Sequence, residues 1–295
     1  MASRIALVTD STSDLPADLA RTFGVTVVPE TVSLGGQSYL DGVDITADEF
    51  YRKLAATDEM PITSTPSPGR FAEIYGALLE NHDQILSLHL PASMSGTIAA
   101  ATQGANLAQP ERIHIVDTEV VSMALGLLVL AAAKASGEHE QESSEEIWRR
   151  VEPVRDGMRV HFMVGTLEYL RRGGRIGRAS ALVGSVLQVK PVLTLTDGVI
   201  TPLERVRTRE KALNRVIDLA RDRGEKLCAC VGHSAAPELC DRLSAALEDQ
   251  CETLLAFPLG PVVGAHAGPG TVGVGAYPAD LFPLGIGRFS AAAAS

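Results

Sequence analysis

Hydroxyl groups set at the start of a helix are the first chemistry this chain offers. The stretch Pro91-Ala92-Ser93-Met94-Ser95-Gly96-Thr97 follows an apolar run of strand length over 84–90 and precedes the alanine-rich run 98–102. A strand therefore feeds a turn that opens a helix, where free backbone N–H groups and the positive end of the helix dipole collect. Ser93, Ser95 and Thr97 add hydroxyl donors, and Gly96 lets a ligand approach the backbone. The expected ligand is a small anion, a carboxylate above all. The competing role for Ser95 is to cap the helix.

A second hydroxyl cluster lies in Pro61-Ile62-Thr63-Ser64-Thr65-Pro66-Ser67-Pro68. Its three prolines exclude a regular helix or a central strand and predict an ordered loop. Capping of a following helix accounts for Ser67 but leaves Thr63 and Ser64 unexplained. His266 stands in Gly264-Ala265-His266-Ala267-Gly268-Pro269-Gly270, which reads as an irregular segment with the backbone open on both sides. Arg171, Arg172, Arg175 and Arg178, spaced by glycines, form a basic loop suited to a phosphate or a partner surface. At the end of the first strand, Asp10, Ser11 and Thr12 occupy the carboxyl edge where open α/β sheets gather ligands. Ser13 or Asp14 is expected to cap the next helix, with Pro16 in its first turn.

An enzyme reading competes. Ser95 on a strand–turn–helix elbow, with His266 as base, suggests a serine hydrolase, an esterase or thioesterase. The elbow has Ser93 where the first glycine of G-x-S-x-G belongs, and no acid completes a triad. No catalytic residue is therefore assigned. Cys228-Ala229-Cys230 with His233 lacks the C-x-x-C turn of a metal site, and no metal ligand is assigned.

The elements that must position these residues alternate in type. Strands are expected over 4–9, 25–29, 84–90 and 112–116, with helices over 47–56, 70–81, from 98, over 120–135 and over 145–156. That alternation predicts a parallel sheet covered on both faces. The later chain reads as a strand over 160–164, a helix over 179–188 and a hairpin on Asp197-Gly198. Helices over 209–223 and 237–248 and strands over 227–231, 253–259 and 272–277 follow. The chain has 295 residues, 45% hydrophobic residues and 27 glycines, enough for roughly two domains and a large core. We expect an N-terminal α/β domain over 1–157, a C-terminal α/β domain with a mixed sheet over 158–289, and a frayed tail over 290–295. A net charge of −10 argues against nucleic-acid binding. The N-terminus is too short an apolar run for a signal peptide, and the apolar run 120–133 is shorter than a membrane span. Four cysteines without a disulfide-like pattern suit a reducing cytoplasm.

In order along the chain, the segments 8–15, 63–68, 95–97, 167–170 with Gly173-Gly174-Arg175-Ile176, Lys190-Pro191 and 264–270 resemble the DegV family of bacterial fatty-acid-binding proteins. The resemblance implies a two-domain α/β fold holding one long-chain fatty acid between the domains. It implies that Thr63 and Ser95 bind the carboxylate, with Ser64, Gly96, Thr97 and His266 near the head group. It also implies a protein without chemistry of its own and without a cofactor, serving in some members as the binding subunit that presents the acid to a separate fatty-acid kinase. Thr65 stands where the family often has glutamine, and Met94 where it often has leucine. Neither removes a hydroxyl at Thr63 or Ser95.

Overall fold

The computed structural model describes residues 5–183, 190–221, 224 and 226–290. In chain order its elements are β1 (Ile5–Asp10), α1 (Ala17–Thr22), β2 (Val25–Val28), β3 (Thr31–Leu34), β4 (Gln37–Leu40), α2 (Ala47–Ala55), β5 (Ile62–Ser64) and α3 (Pro68–Leu79). Then come β6 (Gln84–His89), α4 (Thr97–Leu107), β7 (Ile113–Asp117), α5 (Met123–Glu138), α6 (Ser144–Gly157), β8 (Arg159–Met163) and α7 (Glu168–Arg172). The rest is β9 (Lys190–Thr196), β10 (Val199–Val206), α8 (Arg209–Arg221), β11 (Leu227–His233), α9 (Pro237–Leu247), β12 (Cys251–Pro258), α10 (Pro261–Ala267), β13 (Val272–Pro278) and β14 (Arg288–Ser290).

The first half builds a parallel sheet in the order β2-β1-β6-β7. All six residues of β1 are buried, because both faces are covered. Ala6 and Val8 meet Phe71, Tyr75 and Ala101 of α3 and α4, while Ile5 and Leu7 point into the cluster around α5. The second half builds a mixed sheet in the order β10-β9-β8-β13-β11-β12-β14, with α8 and α9 packed on one face. A small antiparallel sheet, β4-β3-β5, stands apart from both.

Helix α5 explains how the halves join. Its run Leu125 to Ala132 is buried throughout, so it shows no polar face. It packs on β1 and β6 on one side and on β11 and β13 on the other. One apolar cluster accordingly runs from Leu86 through Leu128 to Cys230 and Tyr277, crossing from one sheet to the other. Among the described residues no helix is long and apolar enough to cross a membrane.

Several expectations change. Pro16 occupies the N-cap of α1 and neither Ser13 nor Asp14 caps it. Asp14 instead turns away at φ 52° and its carboxylate accepts from Gly260 N at 2.8 Å and from Ser122 Oγ at 2.5 Å. Around 179 the chain is a 3₁₀ helix, Gly177–Leu182, and the remainder of the helix expected to 188 lies outside the described residues. Ser290 belongs to β14, paired with Ala256, rather than to the tail, and 291–295 lie outside the described residues, as do 222 and 223 of the helix expected to 223. The Asp197-Gly198 hairpin forms as expected, with φ of 51° and 69° at the turn.

Candidate functional site

Three separate pieces of backbone converge on a cleft between the two large sheets. Thr63 sits in the middle of β5, a three-residue edge strand paired to β3 through Val32. An edge position is what the flanking prolines permit. Ser95 lies in the turn after β6, one residue before the N-cap of α4, which is Gly96. His266 lies in the last turn of α10, so its segment is helical rather than irregular. The glycines around it serve packing, not ligand approach. A Cβ on Gly264 would stand 2.3 Å from the Tyr51 hydroxyl, and one on Gly173 would stand 2.3 Å from His266 Nδ1.

Helix α10 is held by the first half of the chain. Asp14 accepts from Gly260 N, and Asp41 Oδ2 accepts from Val262 N at 3.3 Å, so two buried carboxyls cover the helix N-terminus. Burial pushes Asp14 well above the usual carboxylate range, and burial pushes Asp41 up to about 7. Tyr51 OH lies 3.0 Å from Ser234 Oγ and from Leu259 O, a third tie between the halves. On the opposite side of the cleft the β9–β10 turn docks on the Ser95 turn, where Ser93 Oγ donates to Gly198 O at 2.8 Å.

The polar residues that line the cleft are Thr63, Ser95, His266 and Arg175, together with Thr12, Glu30, Ser122 and Thr271. The rest of the lining is apolar and includes Leu90, Met123, Phe162, Leu170, Leu195 and Val263. Counted out to its mouth, the cleft holds about 820 Å³ of atom-free space. A mostly apolar concave pocket carrying a few convergent polar groups is the usual form of a small-molecule site.

Within this cleft the hydrogen bonds are specific. Thr63 Oγ1 lies 2.8 Å from His266 Nε2, whereas His266 Nδ1 is buried without a hydrogen-bond partner among the described residues. Burial, reinforced by the charge of Arg175, lowers the His266 imidazole to about 4, so it is neutral near pH 7. Ser95 Oγ lies 2.9 Å from Thr97 Oγ1 and accepts from Thr97 N at 3.3 Å. Thr97 Oγ1 in turn lies 2.5 Å from Glu30 Oε1. Burial, with Asp10 adding to it, pushes Glu30 up to about 8. Arg175 donates from Nε to Met94 O at 2.9 Å and from Nη1 to Gly173 O at 2.7 Å, which ties its guanidinium to the Ser95 turn.

The residues singled out in the sequence therefore separate. Thr63, Ser95 and His266 share one cleft. Thr97 is buried behind Ser95, and Ser64 and Gly96 are exposed beside it. Arg175 belongs to the cleft, while Arg171 and Arg172 both pair with Glu168 on the surface and Arg178 is exposed. The backbone N–H groups of the Ser95 turn are less available than its position suggested. Met94 N and Ser95 N both donate to Pro91 O, and Thr97 N donates to Ser95 Oγ. Ser95 and His266 do not hydrogen-bond each other, so the nucleophile–base contact of a hydrolase is not in place. Glu30 escaped the sequence reading. Its only signal was position, two residues after the end of β2, on the side of the sheet that Asp10 marks at the end of β1.

With this geometry in view, comparison with known proteins is direct. Residues 4–279 match the family model described as "Uncharacterised protein, DegV family". A DegV domain-containing protein of Streptomyces coelicolor is 42% identical over 281 residues, covering 93% of this chain and 98% of that protein. A solved structure described as fatty acid binding of a DegV family protein from Thermus thermophilus is 40% identical, with a TM-score of 0.88, over 93% of this chain and 99% of that one. DegV of Bacillus subtilis, described as a fatty acid binding protein, is 30% identical with a TM-score of 0.83, over 94% and 99% of the two chains. A stearic acid-binding protein from Eubacterium ventriosum is 27% identical with a TM-score of 0.82, over 93% and 98%. The chain belongs to the DegV family.

Proposed function

We propose that this protein binds one long-chain fatty acid, with the carboxylate at Thr63 and Ser95 and the acyl chain along the apolar cleft. The observation that carries this reading is the cleft itself, lined mostly by apolar side chains and bringing together the Thr63 and Ser95 hydroxyls, a neutral imidazole and one guanidinium. The fatty acids bound by its structural relatives support it. A carboxylate in a poorly hydrated site needs several donors to stay ionised. The His266 proton resides on Nε2, where Thr63 Oγ1 accepts it. The other tautomer would leave a buried N–H at Nδ1 with nothing to receive it. Thr63 then has its own hydrogen free for the ligand, so His266 acts as a positioning group. Arg175 supplies the compensating positive charge. The tail dominates affinity, because each buried CH₂ contributes about 0.8 kcal/mol and roughly a dozen give on the order of 10 kcal/mol before ordering losses.

The division of labour between the halves follows. We place the domain boundary at 157/158, between α6 and β8, with head-group loops on one side and most of the tail lining on the other. The exposed Ser64 and Gly96 put the carboxyl end near the surface, which suits presentation of the acid to a separate kinase for acyl-phosphate formation in the cytoplasm. The protein then needs no chemistry of its own. The test is mass spectrometry of lipid extracted from natively purified protein. One fatty acid per chain is expected. Repeated recovery of none, with no uptake of added palmitate or oleate, would sink the reading.

A further inference from the structure

The hydroxyl of Ser95 has a single hydrogen, and the groups behind it decide where that hydrogen goes. Ser95 Oγ, Thr97 Oγ1 and Glu30 Oε1 form a chain with steps of 2.9 and 2.5 Å. When Glu30 is ionised it only accepts, so Thr97 must donate to it. Thr97 then has no hydrogen left, and Ser95 must donate to Thr97. Ser95 presents a lone pair to the cleft, which repels a carboxylate. When Glu30 is protonated the polarity reverses. Glu30 donates to Thr97 and Thr97 donates to Ser95. Ser95 then accepts from both Thr97 N–H and Thr97 O–H, and its own hydrogen is free for the ligand.

We propose that Glu30 is a positioning residue that must carry a proton for Ser95 to donate to the bound carboxylate, so that binding of a fatty-acid anion to the protein with Glu30 ionised takes up one proton. This rests on the head-group reading given above. The surroundings of Glu30 favour the protonated form. It is 3% exposed, on the two-residue step between β2 and β3, and its backbone N–H donates to Ser11 Oγ. Asp10, from the end of β1, and Asp41, after β4, face it with negative charge. Arg175, beyond α7, faces it with positive charge. Asp10 is itself hydrogen-bonded to His89 Nδ1 at 2.8 Å, and Asp14 lies beyond Asp10 and Asp41. Burial pushes Glu30 up to about 8, within reach of experiment. An arriving carboxylate adds a further negative charge and favours the same proton.

The experiment uses dodecanoate, which stays monomeric and ionised throughout, titrated into the full-length protein stripped of lipid. Calorimetry in buffers of different ionisation heat counts protons. We expect close to one proton taken up per ligand at pH 9 and close to none at pH 6, with affinity falling tenfold or more between pH 7 and pH 9.5. Glu30→Gln, whose amide N–H can donate to Thr97 at every pH, is expected to show one affinity from pH 7 to pH 9.5 and to take up no proton. Wild-type binding without proton uptake at pH 9, or uptake that persists in Glu30→Gln, overturns the proposal. If Glu30→Gln fails to fold, the wild-type proton count alone decides. Ser95→Ala separates the two readings. Weakened, pH-independent binding in that variant keeps Ser95 at the head group whatever Glu30 does. Wild-type affinity at pH 7 removes Ser95 from the head group and this inference with it.

Discussion

If His266 aims the Thr63 hydroxyl, the two residues must be energetically coupled. Thr63→Ala removes one hydrogen bond to the ligand carboxylate and leaves the buried His266 Nε2–H without its acceptor. A hydrogen bond to a charged group contributes about 1.5–3 kcal/mol, so affinity should fall roughly 10- to 100-fold. His266→Ala leaves the Thr63 hydroxyl in place but free to rotate. It loses a neutral hydrogen bond of about 0.5–1.5 kcal/mol, a fall of roughly two- to tenfold. In the double variant the second change should be nearly silent, because nothing remains for His266 to aim. The coupling should therefore equal most of the single His266→Ala effect. Displacement of a fluorescent fatty-acid probe by dodecanoate at pH 7 measures all four proteins. The imidazole is lowered to about 4 by burial and by Arg175, so the cycle should read the same between pH 5.5 and pH 8. Additive losses, or wild-type affinity in Thr63→Ala, would refute the argument.

Two further outcomes follow from packing and from linkage. Gly173→Ala places a methyl 2.3 Å from His266 Nδ1 and 3.0 Å from Tyr169 O, so the ring must move off Thr63; affinity should drop several-fold, and the drop should vanish in a Thr63→Ala background when measured by the same displacement assay. Glu30 and Asp41 are raised by burial to about 8 and about 7. The unfolded chain therefore releases these protons first, and their stabilising contribution, full below about pH 4, is lost as pH rises through 7 and 8. Thermal melts of the lipid-free protein should show Glu30→Gln gaining several °C relative to the wild type at pH 9 and little at pH 5; an equal shift at both values would show that Glu30 is not held protonated by the fold.

Much of this fold is written locally. The Asp197-Gly198 and Gly35-Gly36 turns, the Ser67-Pro68 start of α3 and the alternation of strand and helix can each be read within a short window. The small sheet is legible only in part. Prolines exclude a central strand at 61–68, and β5 is an edge strand, but nothing nearby says that β3 is its partner. Asp14 shows the limit more sharply. Its position before Pro16 reads as a cap for the adjacent helix, yet its carboxylate binds Gly260 N, 246 residues away. A capping acid and a tertiary one look the same until the partner is known.

The hydroxyls carry the same lesson into the cleft. Residue type and spacing locate Thr63 and Ser95, and a hydroxyl both donates and accepts, so its presence says nothing of its direction. Direction comes from what stands behind it. For Thr63 that is a neutral imidazole from α10, a helix seated by Asp14 and Asp41. For Ser95 it is a carboxyl buried after β2 and reached through Thr97. Neither backing group is near its hydroxyl in sequence, and they respond to pH differently. His266 stays neutral down to about pH 4, whereas Glu30 changes charge near pH 8. Two side chains that look equivalent in sequence are thus predicted to behave unequally. Raising the pH from 7 to 9.5 should make the Ser95 arm depend on proton uptake by Glu30 and leave the Thr63 arm donating. At pH 9.5 the penalty for Ser95→Ala should shrink while that for Thr63→Ala persists. Equal penalties at both pH values would mean that the hydroxyl alone, without its backing group, sets the contact.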